Sequence, residues 1–238
     1  MKKVIITGGS RGIGKALVEI FVKNNWEVAT CSVQTGHLKD SLAHITAQCD
    51  VSSSQQVKGF VEKVIQKFGK IDALINNAGL SGGNSLSPQD DDETWHQILN
   101  VNLSGTYYMC KYFSPYFPAG EGRIVNIASI LALKGVPDST AYCASKHGVL
   151  GLTRALAQDF ASRKITVNAV CPGWVRTDMA MNRIKEIGLS EEKLHKSVPL
   201  GRMVEANEVA DFVFYLASSA GGSMISGQAL TIDGGTLS

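Results

Sequence analysis

Tyr142 and Lys146 stand four residues apart in Tyr142-Cys143-Ala144-Ser145-Lys146, at the start of an apolar-periodic run through Val149, Leu150, Leu152 and Leu156. Residues four apart share a helix face, so a phenol and an ammonium placed this way look into one cleft. A phenol titrates near pH ~10 and is a poor base at neutrality. An ammonium ~5 Å away, at an effective dielectric of ~20, contributes on the order of 3 kcal/mol and lowers that pKa by ~2. The expectation is a Tyr142 drawn into the range where general acid–base catalysis is efficient.

Tyr-x-x-x-Lys is common on helices, and its neighbours are more informative than the motif. Ser129 directly follows a β-branched run over 123–128, at the carboxyl end of a strand, where open α/β sheets bind ligands. Its hydroxyl either bonds a substrate oxygen or caps the strand end. Asn102 lies inside a helical pattern from Asp92 to Phe113, where asparagine is a poor interior residue. It either kinks that helix and holds a water for proton relay, or is simply exposed.

A second constellation opens the chain. The apolar run Lys3–Thr7 leads into Thr7-Gly8-Gly9-Ser10-Arg11-Gly12-Ile13-Gly14, and a helical pattern follows. Glycines at 8, 12 and 14 let the backbone turn tightly and approach a pyrophosphate, and the helix N-terminus aims its N–H groups at the anion. The spacing is GxxxGxG rather than GxGxxG, so the position between first strand and first helix carries the reading. At the end of the second strand, NAD-specific proteins carry an acid for the adenosine ribose. Here Val28-Ala29-Thr30-Cys31-Ser32-Val33-Gln34 holds none. A carboxylate would repel a 2′-phosphate, whereas Ser32 can donate to it and Arg11 can pair with it. NADP(H) is expected over NAD(H).

These residues need a scaffold. Short β-branched runs recur at Lys3–Thr7, Glu27–Cys31, Ile45–Cys49, Ala73–Asn76, Arg123–Ala128, Ile165–Cys171 and Ala229–Ile232. Near-continuous apolar character in strands this short fits a parallel sheet covered on both faces. Between them run stripes at helical spacing: Ile13, Leu17, Ile20, Phe21; Val57, Phe60, Val61, Val64, Ile65, Phe68; and Val209, Phe212, Val213, Leu216. The alternation predicts an α/β fold, a Rossmann-like doubly wound parallel sheet of seven strands with helices on both faces. With no linker or composition shift, 1–238 reads as one domain. The segment Thr177–Val198 interrupts the alternation with helical patterning, with Met179 and Met181 inside it and Met203 beyond. It is read as a substrate lid, or as a plain surface helix pair.

Bulk composition removes whole classes. Apolar residues at 44% and charged ones at 18% suit a globular chain, and a net charge of +2 gives no footprint for nucleic acid or an anionic membrane. The histidines at 37, 44, 96, 147 and 195 have no ligand spacing, so no metal site is expected. Five cysteines, an odd number with no CxxC pair, read as reduced. Cys31, Cys49 and Cys171 lie at the ends of apolar runs, where a thiol behaves as a small hydrophobe. No signal-like or membrane-spanning stretch is found, and a cytoplasmic home is expected. The acidic run Asp90–Glu93 fits a helix start.

In its motifs the chain resembles the shorter subclass of the short-chain dehydrogenase/reductase family. The resemblance rests on Thr7–Gly14, Asp50-Val51, Asn76-Asn77-Ala78-Gly79, Asn102, Ser129, Tyr142 with Lys146, and Pro172-Gly173-Trp174-Val175-Arg176-Thr177, in that order and spacing. It implies Tyr142 as acid/base and Ser129 orienting a carbonyl. Lys146 would hold the nicotinamide ribose and lower the Tyr pKa, with Asn102 maintaining a proton relay. Asp50 and Val51 would flank the adenine, Asn77, Ala78 and Gly79 would line the dinucleotide, and Pro172, Gly173, Val175 and Thr177 would meet its nicotinamide end. On the residues alone, Asp50 is equally an N-cap and Asn76–Gly79 a strand-terminating turn.

Val198-Pro199-Leu200-Gly201-Arg202 and Asp233-Gly234-Gly235 look most like the 3-oxoacyl-(acyl carrier protein) reductase branch. The implied reaction is NADP(H)-dependent reduction of a ketone or 3-oxoacyl group. Oxidation of a small alcohol, polyol or steroid on the same scaffold is the alternative, and a non-catalytic dinucleotide sensor the third. By the same resemblance, helices around Asn102–Phe113 and Ser145–Ala161 would pack between subunits of a homotetramer. Leu80, Leu131, Leu133, Trp174 and Met179 are expected to line an apolar substrate end, though Trp174 is equally a core residue. Loop 114–122 carries no Lys or Arg and includes Glu121, leaving only Arg163 to meet an acidic carrier protein.

Overall fold

The computed structural model describes every residue of the chain except Thr35, Gly36, His37, Lys39, Ser85, Asp90 and Ala119. The expectations that touch His37 and Asp90 therefore lie outside the described residues. In chain order the main elements are β1 (Lys3–Thr7), α1 (Gly12–Lys23), β2 (Glu27–Ser32), β3 (Ile45–Gln48), α2 (Ser54–Phe68), β4 (Ala73–Asn76) and α3 (Glu93–Leu99). A π-helical turn (Asn100–Ser104), α4 (Gly105–Phe113), β5 (Arg123–Ile127), α5 (Thr140–Asp159) and β6 (Thr166–Pro172) follow. Last come α6 (Asp178–Glu186), α7 (Glu191–Ser197), α8 (Ala206–Ser218) and β7 (Ala229–Ile232).

The seven strands form one parallel sheet in the order β3-β2-β1-β4-β5-β6-β7. Strand side chains alternate between faces, and both faces are covered. Ile5, Leu74 and Ile124 join Phe60, Val64 and Phe113 beneath α2 and α4. Val4, Ile6 and Val125 join Leu17, Phe21 and Val213 beneath α1 and α8. This two-sided burial is why the strands read as unbroken apolar runs. The strand order reverses between β1 and β4, and a crevice opens there at the carboxyl edge, as such a reversal requires.

All seven expected strands form, with ends shifted by at most one residue. The helical run 92–113 is not continuous. It widens into the π turn at Asn100–Ser104, because Asn102 turns its side chain away to bond other segments. The start of α3 behaves as read, with Asp91 Oδ1 accepting the Glu93 N–H at 2.9 Å. Residues 177–198 fold into α6 and α7, which close over a small core of Ile184, Leu194 and Met203 against Trp174. Among the described residues, no helix is long and apolar enough to cross a membrane, and no cluster of His, Cys, Asp and Glu could hold a metal ion.

Candidate active site

The crevice is a cavity of about 1060 Å³ running from the start of α1 to the underside of α6. At one end its wall is main chain. Gly8, Ser10, Arg11, Gly12, Ile13 and Gly14 all face it. The first N–H groups of a helix lack internal partners, and the first residues of α1, Gly12, Ile13 and Gly14, line this space. A Cβ on Gly14 would lie 2.0 Å from the Gly8 carbonyl oxygen, so the turn closes only around hydrogen. Gly9 does not line the cavity; it packs down on Thr30 and Val18, beneath the turn.

Asn77 ties this turn to β4. Its Nδ2 donates to the carbonyls of Thr7 and Gly8 (3.0 and 3.2 Å), while the Asn77 and Ala78 N–H groups donate to Thr7 Oγ1 (3.0 and 2.9 Å). Thr7 thereby joins β1 to β4 at the point of strand reversal, a role its place in the motif did not reveal. Ser32, Val33, Asp50 and Val51 close this end. Ser32 Oγ lies 3.2 Å from Ser10 Oγ. Asp50 is the acid at that wall, but its Oδ1 is held by the N–H and hydroxyl of Ser52 at 2.9 and 2.7 Å. It closes a turn ahead of α2, whose N-cap is Ser53. Cys31 and Cys49 meet thiol to thiol under the same wall, and that contact, with burial, holds the Cys31 thiol well above its ordinary range.

At the centre of the cavity stand Ser129, Tyr142 and Lys146. Ser129 follows β5, buried, and accepts the Leu131 N–H at 3.1 Å; it caps the short turn at 130–132 rather than the strand, and it faces the cavity. Its hydroxyl also interacts with the Tyr142 phenol. Lys146 lies one turn along α5, buried, with Nζ 5.7 Å from the Tyr142 ring centre and donating to the Ile127 carbonyl at 2.8 Å.

The electrostatics correct the expected titration. Burial pushes the Tyr142 phenol up to about 12, against a smaller downward pull from Ser129. Burial draws the Lys146 ammonium down to about 8. The expected shift holds for charges in a polar medium; with both groups buried, the cost of desolvating each charged form outweighs their mutual attraction. Lys146 is also turned toward a carbonyl, where its proton is held.

Asn102 is buried behind the cavity wall, not exposed. Its Oδ1 accepts the Leu80 N–H at 2.8 Å, and its Nδ2 donates to Leu80 O at 2.9 Å and to Ser145 Oγ at 3.0 Å. Ser145 donates in turn to the Tyr142 carbonyl at 2.8 Å. This chain binds the π turn, the loop after β4 and α5 together. Asn84, which the sequence did not single out, holds the start of α5. Its Oδ1 accepts the Ala141 N–H at 2.8 Å, and its side chain bonds Thr140 Oγ1. No local pattern signals it, because cap and helix are more than fifty residues apart.

Ala78, Gly79, Pro172, Gly173, Val175 and Thr177 line the cavity as expected, and Thr177 also caps α6 by accepting the Ala180 N–H. At the far end Leu80, Leu131, Trp174 and Met179 face in. Leu133 does not: it stands past the short 3₁₀ turn at 130–132, exposed to solvent. Trp174 serves both roles, packing under the lid and facing the cavity.

With this geometry in hand, comparison with known proteins is direct. A family model described as Enoyl-(Acyl carrier protein) reductase matches residues 8–236. A curated relative, the 3-oxoacyl-[acyl-carrier-protein] reductase FabG of Chlamydia pneumoniae, is 37% identical over 98% of this chain and 96% of its own length. Among solved structures, an actinorhodin polyketide ketoreductase with NADPH superposes with a TM-score of 0.92 at 34% identity, covering 99% of this chain and 97% of that one. ElxO with NADP bound gives 0.89 at 34% identity, covering 99% and 98%. The similarity in sequence and in fold runs along nearly the full length, and the chain belongs to the short-chain dehydrogenase/reductase family of oxidoreductases.

Proposed function

We propose that this chain is an NADP(H)-dependent reductase that converts a ketone or 3-oxoacyl group to a hydroxyl, with Tyr142 as general acid and base. Residues 1–238 act as one catalytic unit, and 177–198 as its lid. The observation that carries the reading is the meeting of the Ser129 and Tyr142 hydroxyls on the cavity floor, with Lys146 one helical turn behind.

The residues present fit a phosphorylated nicotinamide dinucleotide. Gly8, Gly12 and Gly14 line the cavity without side chains, and the start of α1 beside it is where a helix offers N–H groups to a pyrophosphate. At the wall formed by Ser10, Arg11 and Ser32 the one acid, Asp50, is already engaged by Ser52. A guanidinium and two hydroxyls facing that space suit a 2′-phosphate. The NADP and NADPH named for the two solved relatives support the same choice. When bound, NADPH supplies the hydride.

This chain's own residues handle the oxygen. Ser129 donates to the carbonyl oxygen and orients it. Tyr142, held near 12, keeps its proton throughout the neutral range and is ready to give it. An alkoxide is much more basic than such a phenol, so the transfer runs downhill. Lys146, charged below about pH 8, stabilises the phenolate left behind. Asn102 and Ser145 fix the turn that carries Tyr142. Two convergent hydroxyls serve a carbonyl oxygen, which must gain a proton, better than a carbon–carbon double bond.

Leu80, Leu131, Trp174 and Met179 favour an apolar substituent on the substrate. Loop 114–122 offers no cation for an acidic carrier, and Arg163 is tied down by donating to the Ser114 carbonyl. The proposal is therefore confined to small ketones and acyl thioesters. The test is a panel of both, with NADPH absorbance followed: turnover of at least one is expected, and consumption of NADPH by none would overturn the reading. We further propose a homotetramer with α4 and α5 between subunits, for which Tyr107 on α4 is exposed at 41%. Solution scattering should give the mass of four chains; a monomer would refute it.

A further inference from the structure

Three segments far apart in sequence meet at the substrate end of the cavity around one guanidinium. Arg183, on α6, is 12% exposed in its side chain. Its Nη2 donates to both the main-chain oxygen and Oδ2 of Asp138 at 2.8 Å, and lies 3.4 Å from Ser139 Oγ. Its Nη1 lies 3.0 Å from the Glu186 carboxylate, but outside the directions of a hydrogen bond. Asp138 and Ser139 are the residues just before α5, four and three positions ahead of Tyr142.

The third segment is the loop after β4. A Cβ on Gly83 would lie 2.5 Å from Asp138 Oδ2 and 2.8 Å from Arg183 Nη1, so the pair is roofed by bare backbone. The next residue, Asn84, accepts the Ala141 N–H and bonds the Thr140 hydroxyl in the first turn of α5. Asp138 itself sits at φ +53°, a left-handed conformation that aspartate and asparagine tolerate better than other non-glycine residues. An exposed surface ion pair contributes little. Here the Asp138 carboxylate is exposed but the guanidinium is largely covered, so breaking the pair leaves a part-buried donor without its partner.

We propose that Arg183 is a positioning residue that pins the lid helix α6 to the start of α5, so that Met179 and Ala180 form a fixed wall over a substrate standing at Tyr142. The closure itself follows from this geometry; its kinetic consequence rests on the reductase reading above. Loss of the pin leaves the cofactor end untouched, because Gly8–Gly14 and Asn77 are held by other contacts. What suffers is the binding of the substrate, since its wall swings free.

Two measurements on the full chain test this. In Arg183→Met, backbone amide exchange across 178–186 should quicken at least about tenfold while β1, β4 and β5 keep wild-type protection. Unchanged exchange in α6 would overturn the proposal. For the carbonyl compound turned over best by the wild type, KM should rise about tenfold or more, with kcat within threefold and NADPH affinity within twofold. Arg183→Lys should recover part of the KM. A fall in kcat at unchanged KM would overturn the positioning role. Asp138→Asn keeps the left-handed backbone and removes only the charge; it should quicken α6 exchange about threefold, and no change there refutes the pin even if Arg183→Met does not fold. A wild type that reduces no carbonyl would defeat the reductase reading alone, because the exchange measurement needs no turnover.

Discussion

At one end of the cavity much of the wall comes from one short stretch of chain, Gly8 and Ser10 to Gly14, at the start of α1. At the other end, Leu80, Leu131, Trp174, Met179 and Arg183 arrive from three separate connections, after β4, β5 and β6, and act through side chains. The first end is fixed by hydrogen bonds within and between β1 and β4. The second is held by long-range bonds to residues such as Asn84, Asp138 and Arg183. A wall of the first kind changes only with the turn itself, whereas in the second one loop can change without disturbing the sheet.

Substitutions can break or sharpen that contrast. Tyr142→Phe strikes between the two ends and should have the largest effect: turnover should fall about a thousandfold or more with NADPH affinity within twofold, read by steady-state kinetics and fluorescence titration. Near-wild-type turnover would remove the proton-transfer role. Gly14→Ala should act at the main-chain end alone. Its Cβ meets the Gly8 carbonyl, and a cost of ~2–3 kcal/mol in reshaping the turn would weaken NADPH binding roughly 30- to 150-fold. Gly9→Ala, by contrast, should lower Tm more than affinity, because its Cβ meets Thr30 in the packed layer below.

Smaller effects probe the charges. NADPH should bind about tenfold or more tightly than NADH, and Arg11→Ala should erase most of that difference; equal affinities in the wild type would refute the reading of β2. The pH profile tests Lys146. Its pKa is lowered to about 8, so it carries its charge below that value and loses it above. For a single such group, kcat/KM for reduction should fall roughly fivefold between pH 8 and pH 9, while Tyr142, raised to about 12, contributes no limb in that range. A flat profile to pH 10 would show that the Lys146 charge is not needed.

Sequence alone determined the features that depend on neighbours along the chain. The β-branched runs specified seven strands because a parallel sheet buried on both faces demands unbroken apolar stretches. The turn at Gly8–Gly14 was legible because a βα junction that approaches an anion excludes Cβ atoms, and Tyr142 with Lys146 because four residues make one helical turn. Tertiary structure alone decided what depends on surroundings. Whether the Tyr142 phenol is acidic turned on the dryness of the cleft, which no spacing encodes, and the answer reversed the expected sign. Asn102 could be read as a helix kink holding a relay water or as exposed; in the fold its amide bonds the Leu80 loop and Ser145. Asn84 and Arg183 carry no local signature, because hydrogen bonds that cross forty or more residues leave no periodicity in the chain that makes them.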